Sequence, residues 1–290
     1  MNYLAEHISP LMLPGFFLLV IGCQKEPQNG EEFKPVKPAA TITLNSPADD
    51  PTIKNPTSAD SEGRRIRKLS LARLAAGGFH AAESLPTLHH RAAVSAKLRS
   101  PRDIALRVMA LKALFIWASA PESAVASDRL MGYVERNGLK KHLTPTELTI
   151  ILMPRQQALA QHGNTVGWRL ENMWALCWLL GYETPPEPMS GQLPEDVTEA
   201  IIFDFLPNLD SSIEDLVSKA KPRTLNEVLE LEDTFYCSHN AVRSAQTGAT
   251  DSVPAVFHPV RDGGAIHERR HGLTWAISDG VSWDDTDLST

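Results

Sequence analysis

One helix-start device recurs along this chain and restricts what its middle and C-terminal parts can become. Ser100-Pro101-Arg102-Asp103 sets a hydroxyl before a proline at the first helical position and an acid at the third, ahead of the apolar-rich run Ile104 to Trp117. A helix start leaves backbone N–H groups without intrahelical acceptors; a hydroxyl cap with an acid three residues on satisfies some of them, and proline has no N–H to lose there. Thr144-Pro145-Thr146-Glu147 repeats the device before Leu148 to Met153, and Thr224-Leu225-Asn226-Glu227 opens an amphipathic stretch to about Ala245. Ser211 with Glu214 is a weaker fourth case. Stops are equally legible: Gly77-Gly78 closes a basic helix from Arg64, and Gly181, with Pro185 and Pro186 beyond it, closes Val166 to Leu180. Only Val253 to Val260 resembles a strand, and Pro254 and Pro259 confine it to an edge strand or loop. The expected fold is mainly α: a single compact multi-helix domain with little or no β.

The chain has 290 residues and a formal charge of -7, so nothing in the total suggests attraction to nucleic acid. Its three cysteines, Cys23, Cys177 and Cys237, are too few and too dispersed for a disulfide framework or an all-cysteine zinc site. The apolar run Leu11 to Gly22 is short against the roughly 20 residues that span a bilayer, and it suits the core of a signal peptide. It ends at Val20-Ile21-Gly22-Cys23, which resembles a bacterial lipobox: an aliphatic residue, a tolerated position, a small residue, then the cysteine that takes the lipid. Acyl chains on Cys23 would bury methylenes at roughly 0.8 kcal/mol each, enough for anchoring without a membrane-spanning helix. Gln24, in place of an aspartate, leans toward the outer membrane in a Gram-negative host. Met1 to Pro10 holds Glu6 and His7 but neither lysine nor arginine, unlike the usual export signal, so a cytoplasmic protein with an apolar tail is the alternative. Prolines and polar residues recur from Gln24 to about Glu62 and read as a disordered tether. The expected organisation is a signal peptide over 1–22, a lipidated cysteine and linker over 23–62, and a mainly helical domain over 63–290.

Trp168 to Leu180 is apolar almost all round, which marks a helix enclosed by others, with Cys177 as a core thiol. Glu171 shares a face with Trp174 and Trp178, and Arg169 with Met173 and Leu176. Charges so placed need opposite charges inside the domain or a wet pocket, and structural ion pairs are the more frequent outcome.

His267-Glu268-Arg269-Arg270-His271 matches the HExxH pattern of zinc peptidases, in which two histidines one turn apart bind zinc and the glutamate activates water. The two middle positions are arginines here, which disfavours a dication between His267 and His271, and the downstream third-ligand candidates are Asp279, Asp284, Asp285 and Asp287. Glu232, Tyr236, His239 and Arg243 follow at helical spacing and form one stripe. Solvated, that stripe is ordinary surface; facing inward, His239 with Glu232 or Asp233 could meet Glu268 or His271 across a cleft as an acid-base pair or anion site.

From Arg64 to Thr290 the chain resembles the bacterial family catalogued as domain of unknown function 4272. The likeness runs through Arg64 to Leu74, Arg99 to Asp103, Gly138-Leu139 with Leu143 to Glu147, and Trp168 to Glu171 with Trp174, Trp178, Leu180 and Gly181. It continues in Asp233, Tyr236, His239 and Arg243, then Glu268 to His271 with Leu273 and Trp275, and lastly Trp283-Asp284. Cys237 stands where the family tends to have arginine, and Asn240 where it tends to have tryptophan. The resemblance implies the domain limits and helical character; it implies Glu268 and Arg269 as landmarks but no histidine at 267, and no activity. The leading expectation is therefore an envelope lipoprotein that meets the bilayer through Cys23, needs no cofactor, and binds a protein or another envelope component through residues among Arg169, Glu171, Asp233, Tyr236, Arg243 and Arg269. The alternative is a hydrolase using His239, Glu268 and His271, in its most specific form a zinc peptidase.

Overall fold

The computed structural model describes residues 58–91 and 96–290. The expected signal peptide, Cys23 and the expected tether up to residue 57 lie outside the described residues. Among the described residues ten α-helices carry the fold: α1 Ser58–Ala76, α2 Pro101–Ser119, α3 Ser127–Arg136, α4 Pro145–Leu152, α5 Arg155–Gly167, α6 Arg169–Leu179, α7 Glu195–Glu199, α8 Ile213–Val217, α9 Leu225–Gln246 and α10 Gly263–Ile277. Among the described residues there is no strand, only an isolated parallel bridge between Lys97 and Ser278. Mainly α is therefore the observed class. No helix among the described residues is long and apolar enough to cross a membrane.

The capping chemistry anticipated from sequence is in place. The Ser100 side chain accepts from the Asp103 N–H, and Thr144 with Glu147 and Thr224 with Glu227 form reciprocal capping boxes. The fourth box is one residue later than the spacing indicated: Ser212 and Asp215 cap α8, not Ser211 and Glu214. Two further expectations need correction. The first helix starts at Ser58, not Arg64. The helix expected over Val166 to Leu180 is two, because Trp168 breaks the run between α5 and α6. Val253 to Val260 forms a short turn and loop, the outcome its prolines allowed.

The helices pack in a series in which α9 lies between α1 and α10, α10 packs on α6, α6 on α2, and α2 on α5. α2 and α6 are buried along nearly their whole length, as helices apolar all round must be. Lys112 of α2 enters that core without a carboxylate, donating at 2.8 Å to the Ile202 carbonyl and at 2.9 Å to Pro207's. Burial pushes its ammonium down to about 8. The carbonyls it holds close a π-helical turn, Ala200–Phe205, that continues α7. Two glycines are fixed by close approach. Gly181 ends α6 at φ +109° with the Lys221 carbonyl 2.7 Å from where a Cβ would sit, and a Cβ on Gly264 would meet the Trp168 ring at 2.9 Å.

Candidate functional site

The polar residues singled out from sequence gather where α1, α9, α10 and α6 meet. α9 turns Glu232, Asp233, Tyr236 and His239 inward and leaves Arg243 exposed, where it bonds Gln246 at 2.7 Å, so Arg243 stands outside the array. Glu232, fully enclosed, accepts from Arg91 and, at 2.8 Å, from the Thr274 hydroxyl. Burial alone would raise its carboxyl, but Arg91, Arg270 and Thr274 together hold it below the usual range. Asp233 takes two bonds from Arg67, at 2.8 and 3.1 Å. Arg67, Arg91 and Arg270 lie 5.4, 4.1 and 4.8 Å from the centroid of the Tyr236 ring. Three guanidiniums thus face two carboxylates, and Arg270 is the one without a carboxylate of its own.

Arg270 is instead bonded to His239 Nδ1 at 2.6 Å and to the carbonyls of Leu288 and Ser289 at 2.7 and 2.9 Å. A guanidinium only donates, so His239 Nδ1 accepts and carries no proton. Burial first, then Arg270 beside it, holds the His239 imidazole down to about 3. Arg270 is itself lowered to about 10 by burial, with Glu232 opposing.

The HExxH string shows a parallel arrangement on α10. His271 Nε2 is 2.9 Å from the Trp283 carbonyl, so that nitrogen carries the proton, and the two rings stack at 4.3 Å. Burial lowers His271 to about 4. His267 is half exposed and lies 5.3 Å from His239 and 6.5 Å from His271 between ring centroids, with its Nδ1 3.5 Å from Glu268. Glu268 bonds Arg169 at 3.1 Å. Among the described residues no group of three or more histidine, cysteine, aspartate or glutamate side chains is arranged to hold a metal ion.

Two further pairs are scaffold in the plain sense. Arg269 Nε meets Glu171 at 2.7 Å over the Trp174 ring, and its remaining N–H groups bond the Glu187 and Gly191 carbonyls and the Ser190 hydroxyl. Glu171 also accepts from the Leu193 N–H. Together they pin the loop after α6. Arg107 of α2 makes two bonds to Glu147, at 2.6 and 2.9 Å, and Arg169 approaches that carboxylate at 3.5 Å. Sequence reasoning passed over Arg67, Arg91, Arg107 and Arg270. Arg107 was detectable, since it and Lys112 are the two charges in the otherwise apolar run Ile104 to Trp117. Cys177 and Cys237 are buried free thiols, and burial pushes both up, Cys237 to about 12, which disfavours the thiolate.

These features define a helical domain whose internal charges tie helix to helix and helix to loop. The chain belongs to the family described as Domain of unknown function (DUF4272), whose model matches residues 65–286. No curated protein and no solved structure matches it.

Proposed function

We propose that the chain is a bacterial envelope lipoprotein, acylated at Cys23, whose helical domain binds a protein or another envelope component without turning it over. The observation that carries the non-catalytic part is the commitment of every candidate acid or base to an internal partner. His239 Nδ1 is taken by Arg270, His271 Nε2 by the Trp283 carbonyl, and Glu268 by Arg169. A general base must reach and hold the proton it removes, and burial holds both imidazoles far below neutral, His239 at about 3 and His271 at about 4, which makes them weak bases. The rigid lattice of pairs suits a different task, presenting a fixed surface. Support for the anchor is the Val20-Ile21-Gly22-Cys23 string and the polar, proline-rich stretch after it.

The test has two arms. Wild-type chain should fractionate with membranes and take up labelled fatty acid, and Cys23→Ser should lose both; unchanged fractionation refutes the anchor. In-cell cross-linking should yield a partner that binds the purified chain saturably. Hydrolysis of peptide, ester or glycoside substrates, abolished by His239→Asn or Glu268→Gln, would overturn the non-catalytic reading in favour of the hydrolase.

A further inference from the structure

The array around Arg270 is closed by a segment that the rest of the domain scarcely holds. Residues 287–290 form neither helix nor strand, and Asp287, Ser289 and Thr290 are exposed. Among the described residues, no backbone–backbone hydrogen bond joins 287–290 to the body, and Leu288 is not one of the apolar side chains that pack on the core. The hydrogen bonds that do reach this segment come from Arg270 alone, whose two outer nitrogens donate to the Leu288 carbonyl at 2.7 Å and the Ser289 carbonyl at 2.9 Å. The matched family region stops at residue 286, so the segment lies past the common domain while holding a residue within it.

Two successive carbonyls taken by one guanidinium are a way of gripping a peptide chain: any extended segment offers such carbonyls, and the fork of donors on arginine is fixed in geometry. The acidic residue adds selectivity. Asp287 accepts from the Ser289 N–H at 2.9 Å, which sets a local Asx turn. Ser289 first, then Arg270 and Arg91, hold its carboxyl below the usual range. Glu232 also attracts Arg270, while Arg91 repels it. With the segment lifted away, one outer nitrogen of Arg270 keeps His239 at 2.6 Å, and the other loses the carbonyl it holds. His267 stands alongside, half exposed, its ring 5.3 Å from that of His239.

We propose that residues 287–290 are a displaceable strap, and that the Arg270 face beneath it binds an extended acidic segment of a partner protein in the strap's place, an aspartate followed by two backbone carbonyls. This site rests on the reading of the domain as a binding protein and is independent of acylation at Cys23. The strap is an intramolecular competitor, held by its short connection at an effective concentration in the mM range. The intact chain therefore takes the partner segment weakly until the strap is drawn off.

The probe is a fluorescein-labelled peptide of the sequence Asp-Thr-Asp-Leu-Ser-Thr, that of residues 285–290, read by fluorescence anisotropy. It is titrated with the full chain and with a chain ending at Thr286, which keeps the matched family region and every core residue. The shortened chain should unfold cooperatively in urea and bind the probe saturably, about tenfold more tightly than the full chain, the scale of relief from a competitor at mM effective concentration. A scrambled probe of the same composition should not saturate. Replacing the second aspartate of the probe by asparagine should weaken it about threefold, and Asp287→Lys in the full chain, at an exposed side chain, should loosen the strap and strengthen probe binding about threefold. Arg270→Lys in the shortened chain keeps the charge without the fork and should weaken the probe about tenfold, the scale of a lost bond to a charged group. The Asp287→Lys and probe variants keep the test decisive if Arg270→Lys does not fold. Failure of the shortened chain to fold, no gain in affinity on shortening, saturable binding of the scrambled probe, or no effect of Asp287→Lys would each overturn the strap and its site. A cross-linked partner that binds the full and shortened chains equally would overturn this site and leave the binding function; a probe that behaves as expected with no partner recovered would do the reverse.

Discussion

His239, buried, and His271, partly buried, make the domain acid-sensitive from about pH 6.5 downward, before most of its carboxylates titrate. His239 is held down to about 3 and His271 to about 4, both by burial first. In the unfolded chain each titrates near 6.5. Both folded values are lowered, so the native state binds fewer protons than the unfolded one, and stability falls as pH drops below 6.5. Between pH 6.5 and 4.5 each histidine stays neutral in the fold while it protonates when unfolded. At about 1.36 kcal/mol per pH unit the loss is roughly 2.7 kcal/mol per histidine, or about 5 for both. That approaches the whole stability of a marginal domain, about 5–15 kcal/mol. Urea unfolding at pH 7.0, 6.0, 5.0 and 4.5 measures it. The diagnostic variants keep the hydrogen bonds and remove the titration: His239→Asn offers an oxygen where Nδ1 accepts from Arg270, and His271→Gln offers an N–H to the Trp283 carbonyl. The double variant should lose less than half of what the wild type loses across this range. A residual slope is expected from His142, which burial also lowers. Equal slopes in the wild type and the double variant would refute the reasoning.

Arg269→Ala leaves Glu171 buried without its cation and frees the loop from Pro185 to Leu193; it should cost about 3–5 kcal/mol in denaturant unfolding and open that loop to limited proteolysis. Gly181→Ala places a Cβ at φ +109° and 2.7 Å from the Lys221 carbonyl, and should cost at least about 1–3 kcal/mol in the same assay. Thr144→Ala removes the hydroxyl that accepts from the Glu147 N–H and should cost about 1 kcal/mol, seen as a lower urea midpoint with an unchanged slope.

Local chemistry made much of the fold legible. Ser100, Thr144 and Thr224 announce their helices because a cap is satisfied within three or four residues of sequence, whatever the rest of the molecule does. The break at Trp168 is a tertiary event and left no such mark: Gly264 of α10 packs against the Trp168 ring, and a helix-period pattern through Val166 to Leu180 cannot register a neighbour nearly 100 residues away. The same division holds for the site. Glu171, placed among tryptophans on an enclosed helix, was more readily a paired charge than a group lining a wet pocket, and Arg269 is its partner. The stripe from Glu232 to Arg243 had the right residues, but its inward turn at His239 and outward turn at Arg243 depend on how α9 is rotated against α1 and α10. Arg91 and Arg67 lie far from their carboxylates in sequence, and nothing local distinguishes them from surface arginines.

Many of the polar positions that carry the family likeness are charged and nonetheless enclosed, a combination that is costly unless each charge is matched and its remaining hydrogen-bonding groups are used. Arg269 shows the condition met in full, with Glu171 and three further acceptors around one guanidinium, and it fastens a loop in a position that apolar packing alone would leave adjustable. Arg67 with Asp233 and Arg107 with Glu147 act similarly at other junctions. Against that background the departures are informative. Arg270 closes its shell with carbonyls of the C-terminal segment and an imidazole, and Arg99 closes its own with carbonyls, so carboxylates act on them from a distance, Glu232 and Asp287 on Arg270 and Asp279 and Asp103 on Arg99. Paired arginines fix one helix against another, whereas these two fasten carbonyls near the C-terminal end of the domain. Arg270 holds the carbonyls of residues 288 and 289 and Arg99 those at the end of α10, so the cation chemistry that locks helix to helix also ties down the segment after α10.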